Sequence, residues 1–276
     1  MHLEEAEIDR VRDAVREAGR IAMRFFGKRP ERWEKGPGQI VTEADVAIDR
    51  FLHAALRRSG ADDGWLSEET VDDRRRLERR RVWVVDPIDG TRSFAEGVPE
   101  FTISVALLVE DRPVLGFVYN PAKEELFEAV RGRGARLGGH LLRASTAERL
   151  EGARICISRF EGRRRNFAAL LPRVALASLG SLAYKLALVA AGRFDGYLSW
   201  RTTNDWDIAA ALLLLEEAGA VATDARGEPL RLNRPEPAHA GIVAAPPALH
   251  RALLAATLGA YEVYRSGMRP LGPSGP

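Results

Sequence analysis

The amino-acid sequence predicts a mixed fold of the α+β or α/β class. Two amphipathic helical stretches come first, β-rich segments separated by a polar turn follow, and strands alternate with helices in the second half. This order favours helices packed in layers against sheets. With 276 residues, of which 46% are hydrophobic, the chain can bury a substantial core in one large domain or two closely packed lobes.

Two helices are predicted near the N-terminus. Apolar residues recur every three or four positions over residues 8–25, and Gly27 is expected to end this helix. A loop at residues 35–38 precedes a second helix, which Thr42 is expected to cap. Asp45 lies in the first turn of that helix, where an acidic side chain interacts favourably with the helix dipole, so this interaction alone would account for it.

The most informative stretch is a run of buried-strand residues that ends in an acidic turn, DPIDGT, at residues 86–91. Asp86 and Asp89 can direct both carboxylates into one small volume, where their mutual repulsion favours a bound cation such as Mg²⁺. Gly90 permits close approach of the backbone, and Thr91 adds a hydroxyl group. An ordinary turn after a strand would use the same residues, so the turn alone leaves both interpretations open.

The middle of the chain is predicted to form strands. Residues 101–109 and 114–119 are β-rich and flank a short polar turn, which predicts an antiparallel hairpin, and residues 126–130 predict a further strand. The glycines of residues 132–139 punctuate a loop and do not have the spacing of a dinucleotide-binding turn. We therefore expect a boundary between two lobes in this loop.

The second half is predicted to alternate strands and helices. An N-terminal lobe of residues 1–135 and a C-terminal lobe of residues 136–266 are expected, with a disordered tail at 267–276. The predicted elements of the C-terminal lobe are strands at 155–158, 174–176 and 194–199 and helices at 166–171 and 181–191. Asp207 precedes a helix at 208–215 that is apolar nearly all round and should be buried, so Asp207 is either a cap or a rigidly held metal ligand.

Composition and charge argue against several functional classes. Lysines and arginines number 41 against 39 aspartates and glutamates, and this balance gives no support for nucleic-acid binding. The arginine-rich run at residues 74–81 is assigned to a solvated helical face. Cys156 is the only cysteine, so no internal disulfide can form, and its strand context predicts a buried thiol. No apolar run approaches the ~18 residues of a membrane span, so we expect no membrane partner and a cytoplasmic location.

Three sequence blocks resemble the signature blocks of the inositol monophosphatase superfamily, whose members are Mg²⁺-dependent, lithium-sensitive phosphatases. The blocks are LSEE at residues 66–69, WVVDPIDGT at 83–91, and WDIAA at 206–210 followed by EAG at 217–219. Their order and spacing are similar over nearly the whole chain. The resemblance implies a layered αβαβα sandwich like that of fructose-1,6-bisphosphatase, an active site between two lobes, and a homodimer.

The resemblance also implies a set of ligands for two or three Mg²⁺ ions. Glu68, Asp86 and the backbone carbonyl of Ile88 match the ligands of one ion. Asp86, Asp89 and Asp207 match the ligands of a second ion, and Glu68 matches a residue that helps to hold a third ion or its water.

Catalytic roles follow from the same resemblance. Thr91 and Asp45 match the pair that orients or deprotonates the attacking water, and Glu68 acts with them through the metal. The backbone amides of Gly90 and Thr91 are expected to bind the phosphate. The implied reaction is direct hydrolysis of a small phosphorylated substrate by metal-activated water, without a phosphoenzyme.

The substrate is less well defined than the reaction. Trp200 stands where inositol-specific members carry an acidic residue, and Arg92, Lys185 and Arg201 are further candidate substrate-binding residues, so the pocket is expected to be basic and aromatic. Inositol monophosphate and 3'-phosphoadenosine 5'-phosphate are the two candidate substrates, with a sugar phosphate or histidinol phosphate as alternatives. A different class, a non-catalytic binding protein of transcription or ribosome-assembly complexes, is also kept as an alternative.

Overall fold

A computed structural model describes residues 3–28, 30–36, 39–57, 62–159, 161, 167 and 171–267. The helices are α1 (Glu5–Phe25), α2 (Glu43–Leu56), α3 (Thr91–Ala95), α4 (Leu182–Ala190), α5 (Asp205–Ala218) and α6 (Pro247–Arg265), with a 3₁₀ turn at Arg75–Glu78. The strands are β1 (Arg32–Gly36), β2 (Gln39–Thr42), β3 (Gly64–Ser67), β4 (Arg81–Asp89), β5 (Thr102–Val109), β6 (Arg112–Asn120), β7 (Glu125–Val130), β8 (Ala135–Leu137), β9 (His140–Leu141), β10 (Arg154–Ser158), β11 (Ala175–Leu179), β12 (Gly196–Asn204), β13 (Val221–Thr223) and β14 (Ala238–Ala245).

In the described part of the chain, the larger sheet has seven strands in the order β3-β4-β5-β6-β7-β8-β9. Strands β3 and β4 are parallel, and the remaining neighbours are antiparallel. The predicted hairpin is confirmed as β5–β6, and its turn residues Glu110 and Asp111 both have positive φ. Because β3 and β4 are parallel neighbours, the segments that follow them leave the sheet at the same end of the two strands.

The smaller sheet has five strands in the order β11-β10-β12-β14-β13 among the described residues. Strand β10 is parallel to both β11 and β12, and β14 runs antiparallel to β12 and β13. The predicted strand at 174–176 is observed as β11, which is longer, and the predicted strand at 194–199 is observed as β12, which extends to Asn204. Residues 166 and 168–170 of the predicted helix at 166–171 lie outside the described residues.

Three apolar clusters join the elements into five layers. Helices α1 and α2 cover one face of the larger sheet, while α4 and α5 pack between its other face and the smaller sheet. Helix α6 covers the outer face of the smaller sheet. Alternate residues of β4 show this division, since Trp83 and Val85 face α1 and α2 whereas Val82 and Val84 face α4 and α5. The predicted αβαβα sandwich is therefore confirmed.

Some features of the predicted organisation differ from the structure or extend beyond it. Arg76 in the arginine-rich run is only 1% exposed, so the assignment of the whole run to a solvated face is wrong. Its guanidinium is buried because it pairs with Asp72 and with the amide oxygen of Asn233.

Strand β8 crosses the expected lobe boundary, and the two-lobe division stays a prediction. Residues 268–276 of the expected tail lie outside the described residues. Among the described residues, no helix is long and apolar enough to cross a membrane.

Candidate metal centre

Three carboxylates from distant parts of the chain meet at one point. Oxygen atoms of Glu68, Asp86 and Asp207 all lie within 4.8 Å of one another. Glu68 follows β3, whose last residue pairs with Val85 of β4, and this parallel register places Glu68 beside Asp86. Asp207 reaches the same point from the first turn of α5, in the layer that packs on this face of the sheet.

Asp86 is the most enclosed member of the cluster. A register shift between β4 and β5 at residues 86–89 ends the regular pairing at this carboxylate, which is 1% exposed. Its Oδ1 accepts the backbone N–H of Ile88 at 3.1 Å, and its Oδ2 is buried without a hydrogen-bond partner in the described part of the chain. Burial, followed by the charges of Glu68, Asp89 and Asp207, raises the pKa of Asp86 well above its usual range. A buried, unpartnered carboxylate oxygen surrounded by further acids fits a hard divalent cation.

Asp207 is held rigidly by the start of its helix. It is the third residue of α5, and its Oδ2 accepts the backbone N–H of Asn204 at 2.7 Å. Burial and the charges of Asp89 and Glu68 raise the pKa of Asp207 well above its ordinary value, while the bond from Asn204 opposes this shift. The capping and metal-ligand interpretations of Asp207 are thus compatible, because one carboxylate can cap the helix and face the cluster.

Asp89 lies beside the cluster and binds the N-terminus of α4. Its Oδ2 accepts the hydroxyl of Ser181 and the backbone N–H of Ala183, both at 2.6 Å, and its Oδ1 accepts the N–H of Leu182 at 3.1 Å. These bonds fix the carboxylate, whose charge raises the pKa of Asp86. The predicted role of Asp89 as a ligand of a second cation stays a prediction.

The two residues predicted to act on water lie next to each other. The Thr91 hydroxyl is 3.2 Å from Asp45 Oδ1 and 2.9 Å from the carbonyl oxygen of Ile88, so it can donate to either. Asp45 is the third residue of α2, and its Oδ2 accepts the backbone N–H of Thr42 at 2.8 Å. Asp207 accepts the N–H of Asn204 in the same way at the start of α5. Burial raises the pKa of Asp45 to about 7 against the lowering effect of the Thr42 bonds, and the charges of Glu69 and Glu68 add to the rise. Asp45 can therefore exchange a proton near neutral pH.

Gly90 occupies a position that tolerates no side chain. Its φ is +94°, and a Cβ atom there would lie 2.9 Å from the carbonyl oxygen of Glu100 and 3.1 Å from the backbone nitrogen of Ser181. The turn at Gly90 therefore packs directly against the turn before α4. The predicted phosphate contacts of the Gly90 and Thr91 amides stay predictions.

The candidate substrate-binding residues separate into two groups. Arg92 and Arg201 are exposed, and the charge of Arg201 acts to lower the pKa of Asp207, which places it within electrostatic reach of the cluster. Lys185 is 3% exposed, and its ammonium donates to the carbonyl oxygens of Leu179 and Gly180 at 3.2 Å and of Ser181 at 2.6 Å. These bonds use its three donors, so the prediction that Lys185 contacts the substrate is wrong.

The prediction for Trp200 is also wrong. Alternation along β12 directs Leu198 and Trp200 to the outer face of the smaller sheet, which α6 covers. The indole ring packs 4.9 Å from the ring of Phe167 and stacks on Tyr264, with 5.7 Å between ring centroids. Trp200 is therefore part of the core on the side of the sheet away from the metal cluster.

Two residues near the cluster were missed by the sequence reasoning. The ammonium of Lys35 lies 2.9 Å from Glu68 Oε1 and 2.5 Å from Glu69 Oε1. Lys35 stands in a glycine-rich loop in the sequence, and no spacing rule connects it with Glu68. Asp49 is buried one helical turn after Asp45, and this spacing of four residues on one helix was a signal that could have found it.

Comparison with known proteins decides the family. The sequence profile of the inositol monophosphatase family matches residues 4–261. The chain belongs to the inositol monophosphatase family. This assignment agrees with the three sequence blocks that meet at the acidic cluster, and it makes the chain a member of a family of phosphatases.

Relatives and solved structures agree with this family assignment. The chain is 37% identical to an inositol-1-monophosphatase of Rhizobium meliloti over 224 aligned residues. The alignment covers 78% of this chain and 84% of that protein. It is 33% identical to the Nus factor SuhB of Escherichia coli K12, over 78% of this chain and 83% of the relative. The structure of the Thermotoga maritima IMPase superposes with a TM-score of 0.82 at 29% identity, covering 91% and 96% of the two chains.

Proposed function

We propose that this member of the inositol monophosphatase family is a Mg²⁺-dependent phosphomonoesterase that hydrolyses inositol monophosphate or 3'-phosphoadenosine 5'-phosphate. The observation that carries the proposal is the convergence of Glu68 and Asp207 on Asp86, whose buried Oδ2 has no protein partner among the described residues. Such a cluster is electrostatically unfavourable without a cation. Hard oxygen ligands with a buried centre suit Mg²⁺.

Different residues of the chain would bind the metal ions, the attacking water and the phosphate. Glu68, Asp86 and Asp207 would hold two or three Mg²⁺ ions together with Asp89 and the carbonyl of Ile88. Bound Mg²⁺ supplies charge neutralisation for the phosphate and lowers the pKa of a water molecule. Thr91 and Asp45 orient the water, and Asp45 takes up its proton through the Thr91 hydroxyl. The Gly90 and Thr91 amides bind the phosphate oxygens.

The two exposed arginines support the choice of substrate class. Arg201 lies within electrostatic reach of Asp207, and Arg92 follows Thr91 in the sequence, so a second anionic group on the substrate would find basic side chains there. That arrangement favours the bisphosphate, whereas the relative from Rhizobium meliloti bears the name inositol-1-monophosphatase. The same centre would also accept a sugar phosphate or histidinol phosphate.

A phosphate-release screen with Mg²⁺ tests this proposal. Inositol phosphates, sugar phosphates, histidinol phosphate and 3'-phosphoadenosine 5'-phosphate would be compared, with an Asp86→Asn variant as the control. We expect one compound to be hydrolysed much faster than the others, with inversion at phosphorus because water attacks directly. Equal and feeble rates for every compound, or rates unchanged in the variant, would refute the assignment. Retention at phosphorus would contradict direct attack.

A second candidate function has one observation in its favour. A relative 33% identical to this chain bears the name Nus factor, which makes a binding role in transcription or ribosome assembly a reasonable alternative. A cell that depends on this protein would separate the two functions when Asp89 is changed to Asn. Loss of function in a variant that keeps the melting temperature of the wild type would indicate chemistry, and full retention of function would indicate binding. In either role we expect a cytoplasmic location and a homodimer. Light scattering of the purified protein would check the homodimer.

A further inference from the structure

Asp49 is a buried acid close to the metal cluster but outside it. It lies on α2, one turn after Asp45, and is 7% exposed. Its Oδ1 accepts the hydroxyl of Ser67 at 2.5 Å, and its Oδ2 accepts the hydroxyl of Thr70 at 2.7 Å. Hydrogen bonds from hydroxyl groups to an ionised carboxylate are short and strong, so both contacts are expected to persist.

The two partners of Asp49 enclose the metal ligand Glu68 in the sequence. Ser67 is the last residue of β3, and Thr70 lies two positions after Glu68. The Ser67 hydroxyl oxygen also accepts the backbone N–H of Glu69 at 3.3 Å, which tightens the turn between them. Asp49 therefore holds the four-residue segment that carries Glu68 at both of its ends.

The position of this segment in the fold makes such a hold necessary. Strand β3 is at the edge of the larger sheet in the described part of the chain and pairs with β4 alone. Beyond the strand, the N–H of Glu68 donates to the carbonyl of Val85 at 3.3 Å, and Lys35 contacts the Glu68 side chain. Segments that leave an edge strand have few backbone contacts and are readily displaced.

We infer that Asp49 is a positioning residue that fixes Glu68 against Asp86 and Asp207, and thereby sets the affinity of the centre for Mg²⁺. The inference rests on the proposed function, because it requires Glu68 to be a metal ligand. Helix α2 then has two roles at one site. Asp45 contacts Thr91 from its first turn, and Asp49 holds the Glu68 segment from its second turn. A single rigid helix thus aligns the proton acceptor with the ligand.

Asp63 provides a matched control for Asp49. It is also a buried aspartate, 5% exposed, and it lies just before the opposite end of β3. Its carboxylate accepts the indole N–H of Trp83 at 2.9 Å and the Nε–H of Arg81 at 3.0 Å. Loss of this carboxylate would perturb the same strand as loss of Asp49, without affecting the segment that carries Glu68.

Calorimetric titration of Mg²⁺ without substrate tests the inference on the wild type, Asp49→Asn, Asp63→Asn and Glu68→Gln. An amide at residue 49 keeps one acceptor and loses the charge, so the Kd for Mg²⁺ should rise about 10-fold to 100-fold, the usual effect of changing a residue that supports a metal ligand. Turnover by Asp49→Asn should recover at high Mg²⁺. Asp63→Asn should lower the melting temperature and leave the Kd within about 2-fold of wild type.

Unchanged Mg²⁺ affinity in Asp49→Asn, or an equal loss in Asp63→Asn, would overturn the inference while leaving the proposed function intact. A wild-type protein that neither binds Mg²⁺ nor releases phosphate would instead refute the proposed function. If Asp49→Asn does not fold, Thr70→Val changes an exposed residue and removes one of the two hydrogen bonds to Asp49, the one at the far end of the segment. That variant should also bind Mg²⁺ more weakly, and wild-type affinity in it would contradict the positioning role.

Discussion

At the scale of single residues, the centre is a cluster of acids in which Asp86 Oδ2 has no hydrogen-bond partner among the described residues. Asp86 is buried and Asp207 is half-buried, and nearby carboxylates raise the pKa of each. Asp45 and Asp207 use the same local device, since each is the third residue of its helix and accepts the N–H of the residue that caps it. This device holds each carboxylate in one orientation, so it can face a ligand without losing conformational freedom on binding.

Replacement of Asp207 by Asn should reduce turnover by at least about 100-fold, because a cation ligand is lost. The fold should remain intact, since an amide oxygen can still accept the N–H of Asn204. Phosphate release and Mg²⁺ titration would measure the effect. Asp195→Asn is the control, because that carboxylate binds Arg154 in the smaller sheet and should leave Mg²⁺ affinity unchanged. Near-normal turnover by Asp207→Asn at saturating Mg²⁺ would refute the ligand role.

The stabilising effect of Mg²⁺ should grow as the pH rises. In the folded protein without cation, burial and neighbouring charges raise the pKa of Asp86 and Asp207 above the ordinary value of 3.8. Between that value and the raised one, the folded state binds more protons than the unfolded state, so these groups lower stability with increasing pH. Bound Mg²⁺ prevents this loss of stability, because it replaces the protons that Asp86 and Asp207 bind in the folded protein.

Melting temperatures with EDTA and with Mg²⁺ would check this pH dependence between pH 5.5 and 8. The rise caused by Mg²⁺ should be larger at pH 8, and the difference between the two conditions isolates the groups at the centre. An equal rise at both pH values would show that the cluster does not exchange protons for the cation.

At the scale of elements, the centre is built where strands and helices end. Strand β4 delivers Asp86 and Asp89 at a register shift, α5 delivers Asp207, and the N-terminus of α4 binds Asp89. The buried ammonium of Lys185 binds three carbonyls of the turn before α4, which holds that helix in place. Gly90 allows this turn and the end of β4 to touch.

Gly90→Ala should impair both stability and turnover. An alanine at φ +94° costs about 1–2 kcal/mol, and its Cβ would press on Glu100 and Ser181 at a further cost of about 1–3 kcal/mol. Gly97→Ala is the matched control at the other end of α3, because Gly97 also has positive φ, at +70°, but its Cβ would meet nothing within 4 Å. Denaturant unfolding and phosphate release would compare the two variants. Equal losses would show that crowding at Gly90 is unimportant.

At the scale of the whole molecule, a buried polar network joins the two halves of the chain. Arg76, which lies between β3 and β4, donates to the side chain of Asn233 at 2.6 Å and to the carbonyl of Arg234 at 2.9 Å. The backbone N–H of Asn233 donates to Asp205 at 2.7 Å, and Asp205 also binds His239 at 2.7 Å. Since Asp205 begins α5, this network connects the region after Glu68 with the helix that carries Asp207.

Arg76→Met should lower the free energy of unfolding by about 3 kcal/mol, because it leaves the half-buried carboxylate of Asp72 and the buried amide oxygen of Asn233 without their donor. Arg75→Met is the control, since Arg75 is exposed and pairs with Asp73 at the surface, where solvent screening makes the loss of an ion pair small. Urea unfolding of both variants would measure the difference. Similar small losses would show that the network contributes little to joining the halves.

Much of this protein follows from local sequence patterns. Helix α1 follows from apolar spacing, the β5–β6 hairpin from two β-rich segments around a polar turn, and the boundary at Thr42 from capping chemistry. These features depend on neighbouring residues, whose interactions a pattern records directly. The meeting of Glu68, Asp86 and Asp207 was expected from three separated blocks because they resembled those of a known family.

Only the tertiary structure decided which side chains are buried and which groups they contact. Lys185 and Trp200 were expected in the substrate pocket, but one binds carbonyls inside the fold and the other packs under α6. Arg76 was expected in solvent and is buried. The direction of a long side chain depends on acceptors and rings supplied by residues far away in the sequence, and those become neighbours only when the layers pack. Local patterns therefore determined helix α1 and the β5–β6 hairpin, whereas packing determined the partners of these three residues.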